Sequence, residues 1–297
     1  MTWLDRQSFL GTDSDAVLAG MTVGIVGLGG GGSHVVQQLA HIGIGRFVIV
    51  DDDRISLSNL NRLVGARRVD VCLKRRKVDI AKRGVLSINP RATVVAVPQR
   101  WQDAASQLAL CDVVFGCVDN VRSKDELEAY CRRLLIPFID QGMDVHEIVD
   151  GYLISGQVLL SMPGHPCLRC YGIVTDGELE AEGRNYGAAG GKPQVVWPNG
   201  VLASSAAGLF MQLATAWHRD ALASVCLEYD GNRHTVIHSD RARRLGVRTC
   251  PHYDEADLGD PAFDVRNPPA TDGHGKAPPP RRLWRRLSLR WAGFRKQ

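Results

Sequence analysis

Two short apolar runs separated by a glycine cluster constrain this chain more than any other stretch. Val23–Val26 is the first run and Phe47–Val50 the second. Between them lie Gly27, Gly29, Gly30, Gly31 and Gly32, then an amphipathic run from Ser33 to Ile42. Asp51, Asp52 and Asp53 close the stretch. Strand, glycine turn, helix, strand and carboxylates in this order make a βαβ unit suited to a nucleotide. Glycines let backbone amides approach a phosphate, and the helix N-terminus favours negative charge. A carboxylate after the second strand stands where a ribose hydroxyl needs an acceptor. The spacing Gly27-x-Gly29-x-x-Gly32 suits a dinucleotide and a mononucleotide equally well.

Downstream, strand-like and helix-like runs alternate. Cys72–Ile88 has a helical period and stops at Asn89-Pro90. Thr93–Val97 reads as a strand, Trp101–Leu110 as a helix, Asp112–Gly116 as a buried strand, Ser123–Leu135 as a helix and Ile136–Ile139 as a strand. The alternation predicts an α/β fold with a mainly parallel sheet and helices on both faces. At about residue 144 the pattern changes. Ile148–Leu160 reads as antiparallel strand, His165–Cys170 as a knuckle, Gly172–Pro193 as a mobile loop and Trp197–Trp217 as a helix. Asp230-Gly231-Asn232 marks a hairpin between Ser224–Tyr229 and His234–His238. We therefore expect one domain over residues 1–258, with halves 20–143 and 144–258, and a disordered Pro-rich linker and basic tail over 259–297.

The net charge of +4 conceals an asymmetry. Residues 276–297 hold eight Lys or Arg and no acid, so the remainder has 28 basic against 32 acidic residues. A mildly acidic body does not suggest nucleic acid. The tail segment Arg281–Arg295 has the spacing of a short basic amphipathic helix, suited to an acidic partner or a membrane surface, or else is a solvated basic tail. No apolar run is long enough to span a membrane and the N-terminus lacks a signal pattern, so a cytoplasmic location is expected. Most of the eight cysteines sit singly in apolar or helical contexts, as reduced core cysteines do; only Cys167 and Cys170 form a close pair.

The residues after the acidic cluster separate the nucleotides. Asn59, Asn61 and Arg62 suit a triphosphate, since Arg holds phosphate bidentately and Asn orients it; alone they read equally as a solvated polar loop. Lys74 and Lys77 lie on a basic helix face, from which one lysine can turn inward to phosphate. Asp119-Asn120 follows a buried strand at the ligand-binding edge of a parallel sheet. Asp119 there suits Mg²⁺, or else caps the next helix.

In order, Arg6-Gln7, GLGGGGS, DDD, SNLNR, a Lys before SINP, CVDN and CLRC resemble the ThiF/MoeB-type adenylyltransferases, in the superfamily of the ubiquitin-activating enzymes. The resemblance covers about residues 5 to 255. It implies a Rossmann-like domain with a C-terminal antiparallel extension. It also implies ATP- and Mg²⁺-dependent adenylation of the C-terminal carboxylate of a small ubiquitin-like or sulfur-carrier protein, by a homodimer. Gly27, Gly29, Gly30 and Gly32 match the phosphate loop, Asp51 the ribose-binding acid and Asp53 its second acid. Asn59 and Arg62 match the phosphate-binding segment, and Asp119 the Mg²⁺ ligand. Lys77, counted back from Ile88-Asn89-Pro90, matches the family lysine, whereas counting forward from Arg62 falls near Lys74. Arg6 matches an arginine lent across the dimer to the partner's ATP. Cys167 and Cys170 match half of a structural Zn²⁺ site, whose other half here reads Cys250-Pro251-His252; the alternatives are a decayed site without metal or a redox pair.

The loop after Cys170 holds no cysteine, and Cys226 falls in a predicted strand, so adenylation without an enzyme thioester is expected. The other readings are adenylation of a peptide or tRNA-borne carboxylate, and a nucleotide-binding subunit of a heteromeric activating enzyme. An NAD-dependent dehydrogenase has no use for SNLNR and CVDN.

Overall fold

A computed structural model describes residues 3–184, 193–218, 223–247, 249–253 and 258–259. The parallel strands are β1 (Thr22–Val26), β2 (Arg46–Val50), β3 (Thr93–Val97) and β4 (Val113–Gly116), joined by the first part of β5 (Phe138–Ile148). The antiparallel strands are β6 (Gly151–Ser161), β7 (Val225–Asp230) and β8 (Thr235–His238). They form one sheet in the order β3-β2-β1-β4-β5-β6-β7-β8. β5 crosses residues 143 and 144, so the two predicted halves share a strand as well as a sheet.

Helices follow the strands. α1 (Ser14–Gly20) precedes β1, α2 (Gly30–Ile42) joins β1 to β2, and α3 (Arg68–Cys72) and α4 (Lys77–Ile88) lead to β3. The short α5 (Ala105–Leu108) leads to β4, and α6 (Val121–Arg133) joins β4 to β5. α7 (Asp176–Arg184), α8 (Val196–Ala214) and the single-turn α9 (Arg241–Arg244) belong to the second half. Strand alternation sends side chains to two cores. Val23 and Ile25 of β1 pack with α2, α4 and α8, while Val26 packs on the other face with α5 and α6. No helix among the described residues is long and apolar enough to cross a membrane.

Three sequence expectations need correction. The run 72–88 is helical only from Lys77: α3 ends at Cys72, Leu73–Arg76 separates it from α4, Lys74 has φ 47°, and Arg76 is extended and bridged to Arg54. Periodicity could not register that pairing. The expected loop after Gly172 contains α7, which buries no side chain and so has no apolar period to read. Cys72 is exposed rather than in the core. Residues 185–192 and the basic tail lie outside the described residues.

The sheet's parallel half also carries a buried ion pair. Lys124 Nζ on α6 donates to both carboxylate oxygens of Asp140 on β5 (2.7 and 2.8 Å) and to the Gln141 carbonyl (3.1 Å). Asp140 is fully buried, and burial pushes its carboxyl up while Lys124 pulls it back. The pair fixes α6 over the start of β5.

The tightest constraint lies in the glycine cluster. A Cβ on Gly32 would stand 1.8 Å from the Gly27 carbonyl oxygen, so any side chain forces α2 off β1. Gly32→Ala is expected to lower unfolding free energy by about 2 kcal/mol or more. Urea denaturation followed by far-UV circular dichroism measures this.

Candidate functional site

The crossover pattern creates a crevice. β1 leads to α2 on one face of the sheet, while β4 leads to α6 on the other. Ligands of open α/β sheets bind where neighbouring strands diverge in this way. Here the two exits touch: Gly27 has φ 86°, and a Cβ on it would stand 2.6 Å from the Cys117 carbonyl oxygen. Asp119 lies two residues beyond Cys117. The backbone of Gly30 and Gly31 lies against the side-chain amides of Asn199 and Gln141, with ideal Cβ positions 2.5 and 2.4 Å from them. Gly29 alone among Gly27 and Gly29–Gly32 has nothing within 4 Å of its Cβ position. The turn is therefore packed from below and open at Gly29, beside the N-terminus of α2, where an anion is favoured.

The acidic cluster is wired into this turn. Asp51 Oδ2 accepts from the Leu28 N–H (2.6 Å) and Oδ1 from the Asp53 N–H (2.9 Å). Burial pushes the Asp51 carboxyl up, and the Lys77 ammonium and both N–H groups draw it back down. Lys77 Nζ stands 2.6 Å from Asp53 Oδ2 and 3.8 Å from Asp51 Oδ2. The Lys77 backbone N–H also donates to the Asp53 carbonyl (3.0 Å). Of the two candidate lysines, Lys77 is buried against the carboxylates, whereas Lys74 is exposed and its carbonyl accepts from Arg54. The Asp53 side chain remains 65% exposed, so its carboxylate has room for a further donor.

Asn59 and Arg62 occupy a tight turn beside this cluster. Asn59 Oδ1 accepts from the Ser56 N–H (3.0 Å) and closes a 3-10 turn over Leu57–Asn59. Arg62 Nη1 donates to the Ser58 carbonyl (2.7 Å) and to Asn61 Oδ1 (3.0 Å). Val64 N–H donates to Ser33 Oγ (3.0 Å), which ties this turn to the first turns of α2. Asp119 is exposed, and Asn120 caps α6 by accepting from Ser123 N–H (2.7 Å). The capping role thus falls to Asn120, and the Asp119 carboxylate has no partner among the described residues.

Arg6 is not brought to this crevice. It lies in a 3-10 turn, Asp5–Leu10, and its neighbour Gln7 donates to the Ile42 carbonyl at the C-terminus of α2 (3.0 Å). The glycine turn is at the opposite end of that 13-residue helix, about 20 Å away.

A second cluster lies on the α6 side. Cys167, Cys170, Cys250 and His252 converge, with their ligand atoms all within 4.8 Å of one another. Sγ of Cys167 and Cys170 are 3.6 Å apart, and those of Cys170 and Cys250 3.8 Å apart. His252 Nδ1 is 3.4 Å from Cys167 and Cys170 and 3.9 Å from Cys250. Ordinary zinc bond lengths give tetrahedral edges of roughly 3.8 Å for S–S and 3.6 Å for S–N. The donor set and spacing therefore fit one Zn²⁺, and the tight Cys-x-His spacing closes around it.

Sequence reasoning missed what holds this knuckle. Glu128 and Arg132, one turn apart on α6, are fully buried beneath it. Glu128 accepts from the Leu168 N–H (3.1 Å), Arg132 Nη2 donates to the His165 carbonyl (3.0 Å), and the Arg132 guanidinium lies 4.9 Å from the Tyr253 ring centroid. Arg169 donates to Asp125 of α6 (2.8 Å) and Asp176 of α7 (2.8 Å). Glu182 of α7 accepts from the Val121 and Arg122 N–H groups at the start of α6 (3.0 and 2.9 Å). The signal for α7 was present: Thr175 and Glu178 form a Thr-x-x-Glu capping pair.

Among curated proteins, the molybdopterin-synthase adenylyltransferase of Escherichia coli is 33% identical over 162 residues, covering 53% of this chain and 61% of that protein. The SAMP-activating enzyme E1 of Haloferax volcanii is 33% identical, covering 57% and 62%. The tRNA threonylcarbamoyladenosine dehydratase of E. coli is 36% identical, covering 40% and 44%. The matched stretches thus span less than two thirds of these relatives. Among solved structures, the microcin C7 biosynthetic enzyme MccB in complex with N-formylated MccA superposes with a TM-score of 0.68 at 19% identity, over 84% of this chain and 73% of that one. This likeness establishes the fold. The sequence pattern of the ThiF family matches residues 4–249, which takes in the whole sheet and the crevice but stops short of Cys250 and His252, and the chain belongs to that family.

Proposed function

We propose that this chain adenylates the C-terminal carboxylate of a small ubiquitin-like or sulfur-carrier protein with ATP, releasing pyrophosphate. The observation that carries the reading is the crevice itself: an open glycine turn at a helix N-terminus, the Asp51–Lys77–Asp53 cluster, and an unpartnered Asp119 on the facing strand exit. The names of the molybdopterin-synthase adenylyltransferase and the SAMP-activating enzyme support it, while that of the tRNA threonylcarbamoyladenosine dehydratase supports the alternative of a tRNA-borne carboxylate. The α-, β- and γ-phosphates would lie along the open side at Gly29. Asp51, with Asp53 as the second acid beside it, would accept from the ribose hydroxyls. The Lys77 ammonium has three protons, and its two carboxylate contacts leave one for a phosphate oxygen.

The acyl carboxylate is ionised near pH 7 and needs no general base. Its oxygen forms a bond to the α-phosphorus, the bond to the β-phosphate oxygen breaks, and pyrophosphate leaves with that electron pair. Asp119, exposed and without a partner among the described residues, would hold Mg²⁺, which would supply charge neutralisation on the phosphates. The chain's share is positioning and fixed positive charge from Lys77 and Arg62. Cys226 is buried, and burial pushes its thiol up to about 12, which supports transfer without a thioester on that residue.

ATP–pyrophosphate exchange with small proteins ending in Gly-Gly tests the activity. Asp119→Ala is expected to cut exchange by about 100-fold or more with an unchanged melting temperature. Exchange persisting in this variant would remove the metal role, and no exchange with any carboxylate donor would remove the reading.

We further propose a homodimer in which Arg6 serves the partner subunit's crevice, since it is held at the far end of α2 in its own. Arg6→Ala and Asp119→Ala proteins, each inactive alone, should regain roughly a quarter of native activity when exchanged into mixed dimers. Absence of any regain would place Arg6 elsewhere.

For the knuckle we propose structural Zn²⁺. Metal analysis should find one Zn per chain. Cys250→Ser should lose it and lower the melting temperature by about 4 °C or more.

A further inference from the structure

Arg62 differs from three other cations of the parallel half in what holds it. Lys77, Arg83 and Arg100 each face a carboxylate, at 2.6, 2.7 and 3.9 Å. Arg62 faces none among the described residues. Its Nη1 donates to two neutral oxygens, the Ser58 carbonyl (2.7 Å) and the side-chain oxygen of Asn61 (3.0 Å). The Nε and Nη2 protons make no hydrogen bond among the described residues. Those two nitrogens form one edge of the guanidinium, and that edge matches two oxygens of a phosphate. The charge of Arg62 is thus undivided and its binding edge is free.

Asn61 sets the aim of that edge. While its oxygen accepts from Arg62, its Nδ2 donates to the Gln194 carbonyl (2.9 Å). A guanidinium only donates and a carbonyl only accepts, so one orientation of the amide satisfies both. Gln194 stands two residues before α8, and α8 sets Asn199 against Gly30. The turn that carries Asn61 is also tied to α2, through the Val64–Ser33 bond. Arg62 is therefore located against the same two helices that frame the glycine turn. An aspartate at position 61 could accept from Arg62 as well. It would cancel the charge that a phosphate needs, and its second oxygen would face the Gln194 carbonyl with no proton between them. The amide orients the cation and leaves its charge intact.

We propose that Asn61 is a positioning residue for ATP: it touches no substrate atom and holds the free edge of Arg62 towards the phosphates. The inference rests on the adenylation reading only in taking ATP as the ligand of the crevice. It also separates the roles of the two asparagines, since the Asn59 side chain is spent on closing its own turn.

Isothermal titration calorimetry of ATP with Mg²⁺ on the full chain tests this. Asn61→Ala should weaken binding about fivefold, because Arg62 is then less fixed. Asn61→Asp should weaken it about fiftyfold, because the new carboxylate competes with phosphate for the guanidinium. A side chain that served only the turn would give the reverse order, since aspartate keeps the bond to Arg62 and alanine loses it. Asn61 is exposed, so both variants should fold with an unchanged melting temperature. In an Arg62→Ala background, Asn61→Ala should change ATP binding by less than about twofold. Asn61→Asp binding ATP as well as Asn61→Ala does, or the Asn61→Ala effect persisting without Arg62, overturns the proposal. ATP binding in the expected order but without pyrophosphate exchange upholds it and removes the adenylation reading instead. Absence of ATP binding by the native chain removes both.

Discussion

Gly27 and Gly32 let the exits of β1 and β4 meet at backbone contact, and the remaining geometry of the crevice follows from that meeting. With a side chain at either position, α2 could not start where it does. Its N-terminal N–H groups would then point away from the ends of the parallel strands. Asp119 owes its place to the same contact, because the Cys117 carbonyl that leads to it lies directly against Gly27. The fold thus brings an anion-attracting helix end and a carboxylate on the neighbouring strand to one crevice without any long loop.

The acids of that crevice share one ammonium before any ligand enters. Asp51 is buried, which by itself favours its neutral form, and Lys77 with two backbone N–H groups restores the charged one. Lys77 is in turn a buried ammonium held between two acids. Replacing either partner leaves an unpaired charge in a site of low polarity, which costs more than the pair contributes. The cluster is accordingly a rigid fixture, and its exposed member, Asp53, is the one with capacity to spare.

Much of this was legible in the residues. β1, α2 and β2 followed from glycines between apolar runs, and β3 was read at its observed limits, Thr93–Val97. The hairpin at Asp230–Asn232 followed from its turn chemistry. What escaped depends on partners far apart in the chain. The break at Leu73–Arg76 arises from pairing with Arg54, and no local period records it. α7 has no buried face, so only its Thr175–Glu178 cap announced it. Within the candidate site, residue types pointed to Asp51, Lys77 and Asp119, and geometry then separated Lys77 from Lys74 and gave the cap to Asn120. Gln141 and Asn199, whose amides support the glycine turn, have no sequence signal, since a lone amide in a strand or helix looks like any surface residue. Glu128 and Arg132 have the spacing of a solvated helix pair, yet lie in the core beneath the knuckle.

α6 joins two places that the chain keeps far apart. Its first turn follows Asp119 directly and is capped by Asn120 and Glu182, while its last turns hold the knuckle through Glu128 and Arg132. A 13-residue helix is stiff over its length of about 20 Å. The knuckle is therefore a footing for the edge of the crevice at Asp119 as well as a clasp on the second half of the fold. The buried Glu128–Arg132 pair is what holds the tilt of this helix against the knuckle.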